Sequence, residues 1–115
     1  MITIYHNPRC SKSREGLKLI QESGEEFKVR DYLKEPLSEK ELEDILHKLN
    51  MTPIQLVRKN ESLWKEKFKD KDLSDKEIKR VLLENPKLIE RPVVENKNGA
   101  VLGRPSSNIE NLLKS

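Results

Sequence analysis

The stretch ITIYHNPRCSKSREGLKLIQESGEEFKVR, residues 2–30, decides the fold. Ile2-Thr3-Ile4-Tyr5 is β-branched and aromatic, the composition of a short strand. His6-Asn7-Pro8-Arg9-Cys10-Ser11 follows, and its Asn-Pro pair marks a loop. A helix is predicted over about 11–23, with Leu17 and Ile20 facing inward and Gly24 as its stop. Phe27-Lys28-Val29-Arg30 alternates apolar and charged residues and reads as a second strand. A strand, a helix and a strand in so few residues form a βαβ unit, whose strands run parallel.

Outward from this unit the chain turns helical. Ser38 and Glu41 are spaced as a capping box. Leu42, Ile45, Leu46 and Leu49 then follow at i, i+3, i+4 and i+7, one face of a helix. Thr52-Pro53 places a cap before a first-turn proline and starts a short helix through Leu56 and Val57. Leu63, Trp64 and Phe68 mark another helical piece. Ser74 and Glu77 form a second box ahead of Ile78, Val81 and Leu82, and Asn85-Pro86 ends that helix. Pro92-Val93-Val94-Glu95 and Ala100-Val101-Leu102 flank Asn96-Lys97-Asn98-Gly99, and Asn-Gly between apolar runs signals a hairpin. A last helix opens near Ser106 or Ser107, with Glu110 spaced to complete a box from Ser107 and with Ile109, Leu112 and Leu113 inward. The expected architecture is α/β. A βαβ half and a ββα half share a four-stranded mixed sheet, as a thioredoxin-like domain requires, with a helical insertion between the halves. Residues 1–115 are expected to form a single domain.

Composition narrows the function. The chain has 115 residues, of which 37% are charged and 34% hydrophobic, and a mean hydropathy of −0.81. No apolar run approaches the ~20 residues of a membrane span, and Met1–Tyr5 lacks the build of a signal peptide. A cytoplasmic protein is expected, with no membrane association. Lys and Arg total 23 against 20 Asp and Glu, giving +3. This mild, well-mixed excess does not favour a nucleic-acid binder, which gathers basic residues on one face. The block from Lys65 to Lys71 reads as a solvated helix face.

Cys10 is the one cysteine. Internal disulfides and multi-cysteine metal sites are therefore excluded, and no metal is expected. Its position, between the first strand and the first helix, is where open α/β sheets bind ligands. A helix start offers unpaired N–H groups and partial positive charge, and Arg9, Lys12 and Arg14 add more. Such settings lower a cysteine pKa from ~8.5 to about 3.5–7.5, so a nucleophilic thiolate is expected. The alternative is a buried, inert cysteine. A dithiol would want its second cysteine at position 13, where Ser13 stands, so a redox cycle needs an external thiol such as glutathione. Arg58, Arg91 and Arg104 are candidates for binding a tetrahedral oxyanion through forked, charge-assisted hydrogen bonds. Arg91-Pro92 and Arg104-Pro105 bracket the hairpin. Nothing in the dipeptide itself favours a cis bond at Pro92.

The segment from Ile4 to Arg14 resembles the active-site loop of the glutaredoxin-dependent arsenate reductase family. Leu56-Val57-Arg58-Lys59-Asn60, the run from Asn85 to Val94, and Gly103-Arg104-Pro105-Ser106 resemble that family's three arginine motifs, in the same order. The resemblance implies that Cys10 attacks the arsenic of arsenate and that Arg58, Arg91 and Arg104 hold the oxygens. His6 and Ser13 would lie close to the sulfur, with His6 helping to keep it ionised, and Pro92 would be a cis-proline facing the loop. Glutathione would serve as external reductant with no bound cofactor, and glutaredoxin would regenerate Cys10. Arg9, Ser11 and Lys12 replace smaller or less charged residues of the plasmid-type pattern, which points to a shorter branch. The Spx-type regulators share the fold, bind RNA polymerase and often carry Cys-x-x-Cys, which Ser13 interrupts here. A non-enzymatic regulator of that kind, or a thiol-dependent reductase of another small molecule, is the alternative reading.

Overall fold

The computed structural model describes residues 1–104 and 106–114. Their elements are β1 (Ile2–Tyr5), α1 (Ser11–Ser23), β2 (Phe27–Arg30), α2 (Glu39–Leu49), α3 (Ser62–Lys67), α4 (Asp75–Glu84), β3 (Val93–Asn96), β4 (Gly99–Leu102) and α5 (Ser107–Lys114). Short 3-10 turns lie at Pro53–Leu56, between α2 and α3, and at Pro86–Leu88, between α4 and β3. The chain divides into two compact groups: Met1–Glu35 with the described residues from Arg91 onward, and Pro36–Glu90.

The first group holds the sheet, in the order β2-β1-β3-β4. β1 runs parallel to β2 and antiparallel to β3, and β3 pairs antiparallel with β4. This is the four-stranded mixed sheet of the thioredoxin-like expectation, with the helical insertion lying between its halves in sequence. The pleat sends Ile2 and Ile4 to one face. Ile20 of α1, Val94 of β3, and Ile109 and Leu112 of α5 join them in one buried cluster. Burying each such side chain is worth about 1.5–3 kcal/mol, so this cluster is the main anchor of the sheet. Gly16 lets α1 approach closely: a Cβ there would lie 2.9 Å from Ile109 Cδ1 and 3.1 Å from Pro92 Cγ. Gly24 ends α1 in the left-handed conformation, φ 76°, which a residue without Cβ adopts freely.

Ile20 is buried and Leu17 packs half-buried against the same core cluster, as read from the sequence, with Ser13 and Gly16 also buried. Two local expectations needed adjustment. The hairpin turns on Lys97-Asn98, with Gly99 (φ 156°) opening β4 opposite Asn96. Ser107 lies inside α5 as its first residue.

In the second group α2 and α4 each open with a complete capping box, Ser38 with Glu41 and Ser74 with Glu77. Leu42, Ile45 and Leu46 of α2 and Ile78 and Leu82 of α4 are buried. The segment ending in Val57 closes against the chain before Glu90. Val57 pairs with Ile89 in an isolated antiparallel bridge, Arg58 N–H donates to the Leu88 carbonyl at 2.6 Å, and Glu90 N–H donates to the Leu56 carbonyl at 2.8 Å. Among the described residues no helix is long and apolar enough to cross a membrane.

Candidate active site

The loop from His6 to Cys10 is shaped by Asn7 and Ser13. Asn7 Oδ1 accepts from Arg9 N–H at 3.0 Å, and the Asn7 carbonyl accepts from Cys10 N–H at 3.0 Å. Ser13 Oγ accepts from Asn7 N–H at 3.0 Å and lies 2.7 Å from His6 Nδ1. Arg14 Nη1 donates to the Pro8 carbonyl at 3.0 Å. The loop is thus tied back onto the first turn of α1, with Ser13 fully buried beneath it.

Cys10 is the N-cap of α1, with extended backbone angles (φ −98°, ψ 124°) and no side-chain cap bond. Its free thiol belongs to a residue only 7% exposed. Burial pushes the thiol pKa up. The Ser13 N–H, the charge of Arg91, the Lys12 N–H and the side chain of Arg104 pull it down, and the net result lies below the ordinary value. The helix start therefore offers its unpaired N–H groups to the sulfur. Arg104 Nη2 stands 3.9 Å from the Cys10 sulfur, although Arg104 is itself exposed.

Arg91 is unusual for an arginine: it is 5% exposed, and its Nε and Nη1 are buried without a hydrogen-bond partner. Buried donors are nearly always paired, so two unpaired ones on a cation mark a place for an acceptor. The bond from Arg91 to Pro92 is cis. Pro92 is fully buried, and its carbonyl accepts from Gly103 N–H at 2.8 Å. A Cβ on Gly103 would lie 2.6 Å from Pro92 Cγ, so the chain just after β4 and the proline pass too closely for any side chain there.

His6 is buried, and its N–H is held by the Arg30 carbonyl at 2.8 Å. Burial lowers its pKa, the Asp31 carboxylate raises it and Arg14 lowers it; the net shift is downward. At neutral pH the ring is therefore neutral, and its Nδ1 shares a hydrogen bond with Ser13 Oγ.

The ArsC family model matches residues 5–112. The chain belongs to the ArsC family. It is similar to an arsenate reductase of Neisseria meningitidis, 40% identical over 114 residues that cover 97% of each chain. An uncharacterized protein of Escherichia coli K12, YfgD, is 43% identical over 94% of this chain and 92% of that protein. Among solved structures, an arsenate reductase from Vibrio cholerae superposes with a TM-score of 0.90 at 38% identity, covering 96% of each chain.

For this ArsC-family chain the structure brings Cys10, His6, Ser13, Arg91, Pro92 and Arg104 into one compact group. Arg58 belongs to the other group, where Nη1 donates to Glu61 Oε2 at 2.9 Å. It follows a bridge residue and does not end a helix, contrary to the reading of Ile54–Val57 as helical throughout. Pro105, which the sequence pairs with Arg104, lies outside the described residues. Among the described residues no group of three or more His, Cys, Asp or Glu could hold a metal. Sequence reasoning missed Asn7 as the organiser of the loop. Its signal was the Asn-Pro-Arg run, in which an Asn side chain characteristically accepts from the N–H two residues on.

Proposed function

We propose that this protein reduces arsenate to arsenite through a covalent adduct on Cys10. The observation that carries the reading is the buried Arg91 guanidinium, with two unpartnered N–H atoms, whose charge acts on the Cys10 sulfur. A tetrahedral oxyanion supplies the acceptors those donors lack. The relatives named arsenate reductase supply the identity of the oxyanion.

The Cys10 thiolate attacks arsenic, an S–As bond forms, and one arsenate oxygen leaves as water after protonation. Arg91 and Arg104 hold the remaining oxygens and balance their charge. Ser13 and neutral His6 brace the loop around the sulfur. Arg58 is assigned to the oxyanion by its sequence motif, and Pro92 fixes the backbone that carries Arg91. Glutathione then attacks the Cys10 sulfur. An S–S bond forms, the S–As bond breaks, and its electron pair stays with arsenic, which becomes As(III). Glutaredoxin attacks the glutathione sulfur of the resulting mixed disulfide and frees Cys10. No bound cofactor takes part.

The experiment is arsenite production from arsenate with glutathione, glutaredoxin, glutathione reductase and NADPH. Turnover that disappears in Cys10→Ser and falls at least tenfold in Arg91→Ala supports the reading. Turnover no greater than that of Cys10→Ser ends it. Turnover supported by thioredoxin but not by glutathione and glutaredoxin overturns the reductant assignment and leaves the arsenate assignment standing.

A further inference from the structure

The first turn of α1 is charged against its own helix. α2 opens with Glu39 and Glu41, and α4 with Asp75 and Glu77, acids that complement the positive end of a helix. The first turn of α1 contains no acid. It contains Lys12, with Arg14 next and Arg9 just ahead of Cys10. Arg14 is committed to the Pro8 carbonyl. Lys12 reaches Glu15 at 3.6 Å with both side chains more than half exposed, a weak pairing. Arg9 is exposed, and its backbone N–H donates to Asn7 Oδ1.

Two sets of positive charge therefore neighbour Cys10: Arg91, whose charge acts on the sulfur, and an outer tier, Arg9 and Lys12, which flank it in sequence. Arg91 is buried and fixed, suited to an ion seated directly on Cys10. Arg9 and Lys12 are exposed on long side chains, suited to a second reactant that arrives from solvent. Positive charge at a helix N-terminus weakens the helix, so the fold gains nothing from this outer tier.

We propose that Arg9 and Lys12 form a cationic rim that selects an anionic thiol as the reductant of the Cys10 adduct. This deepens the reading of Cys10 as the attacked sulfur and rests on it. In that step the thiol gives its proton to solvent. Its sulfur bonds to the Cys10 sulfur, and the S–As pair reduces As(V) to As(III). The rim attracts carboxylates borne elsewhere on the same thiol.

The test needs no arsenate. Cys10 is converted to its mixed disulfide with thionitrobenzoate, and release of the dye is timed with three thiols. These are glutathione (net −1), neutral 2-mercaptoethanol and glutathione diethyl ester (net +1). Each rate is divided by that of the same thiol on a small neutral thionitrobenzoate disulfide, which removes intrinsic thiol reactivity. The rim gives normalised rates in the order glutathione, mercaptoethanol, ester. About threefold per unit of thiol charge is expected at low salt, from charges several ångströms apart in water. The spread should close at 1 M salt, where screening acts within about 3 Å, and largely vanish in the exposed double variant Arg9→Gln/Lys12→Gln. Rates independent of thiol charge, or a spread that the double variant retains, overturn the rim. A Cys10 that cannot be labelled overturns both the rim and the reading beneath it. If charge selection is present but arsenate turnover is absent, the rim is supported and the substrate assignment fails.

Discussion

Replacing Arg91 with methionine should make the protein more stable and its sulfur less reactive. Arg91 is 5% exposed, and its Nε and Nη1 lack partners. Each unsatisfied buried donor costs about 1–3 kcal/mol, so the pair costs about 2–6. Relaxation around the site recovers part of that. Exchanging buried ionic groups for apolar ones of similar volume typically gains about 1–4 kcal/mol, and methionine keeps a flexible stem that can fill the space. With a urea slope of about 1–3 kcal/mol per molar, the unfolding midpoint should rise by about 1 M. Loss of the Arg91 charge removes one of the pulls that lower the Cys10 pKa. The pH midpoint of Cys10 alkylation should therefore move up toward the ordinary thiol value. Phosphate, a stand-in oxyanion, should stabilise the wild type by mass action and leave Arg91→Met unaffected. A folded Arg91→Met with a lower urea midpoint would falsify the reasoning, because the guanidinium would then be a net stabiliser with its donors satisfied. An unmoved alkylation midpoint would refute the electrostatic half alone.

Gly103→Ala should destabilise by about 1–3 kcal/mol through overpacking, since the new Cβ meets the rigid Pro92 ring at 2.6 Å. Thermal unfolding reads this directly, and an unchanged Tm contradicts it. Ser38→Ala and Ser74→Ala should each cost about 1 kcal/mol, and the double variant should show their sum because the boxes cap separate helices; the comparison is by urea titration. His6 has its folded pKa lowered from 6.5, so the unfolded chain binds the extra proton first as pH falls. Its contribution to stability is complete above pH 6.5 and is lost as pH drops through the lower folded value. His6→Gln should flatten that part of the stability–pH curve, and an identical slope in both proteins would contradict the assignment. Cys10 has the same sign. Its depressed folded pKa adds stability present above the unfolded thiol value and lost as pH falls through the folded one, so a Cys10→Ser protein should lack that rise between the two.

The elements most legible in the sequence were those fixed by local chemistry. Ser38 with Glu41, and Ser74 with Glu77, can satisfy orphan helix N–H groups only at those starts, and both boxes form as read. Gly24 stops α1 because the left-handed turn needs no Cβ. What depended on long-range contact was less readable. The burial of Gly16 was not read, because it depends on α1 approaching Ile109 and Pro92 more closely than a side chain at that position permits. Val29 alternates as a buried residue should, yet it is 43% exposed, because β2 is an edge strand with β1 on one side only. At the site, a reactive setting for Cys10 could be argued from its place before α1 and its basic neighbours. The burial of Arg91 could not, since arginine is ordinarily a surface residue and only tertiary structure shows its unpaired donors. The cis bond at Pro92 was legible through family resemblance and not through the dipeptide.

The single-thiol character of the site follows from the loop's own construction. Position 13 is where a thioredoxin-type dithiol would carry its second cysteine. Ser13 is fully buried there, and its Oγ both accepts from Asn7 N–H and bonds His6 Nδ1. Sulfur is a weak acceptor and a weak donor, so a thiol would leave the Asn7 N–H and the His6 nitrogen poorly satisfied in a buried place. The hydroxyl that braces the loop around Cys10 thus occupies the position of a dithiol's second sulfur. Cys10 is the chain's one cysteine, so any second thiol comes from outside the chain. The connection from β1 to α1 thus carries the bracing hydroxyl, the lone sulfur and the basic residues beside it within nine positions, His6 to Arg14.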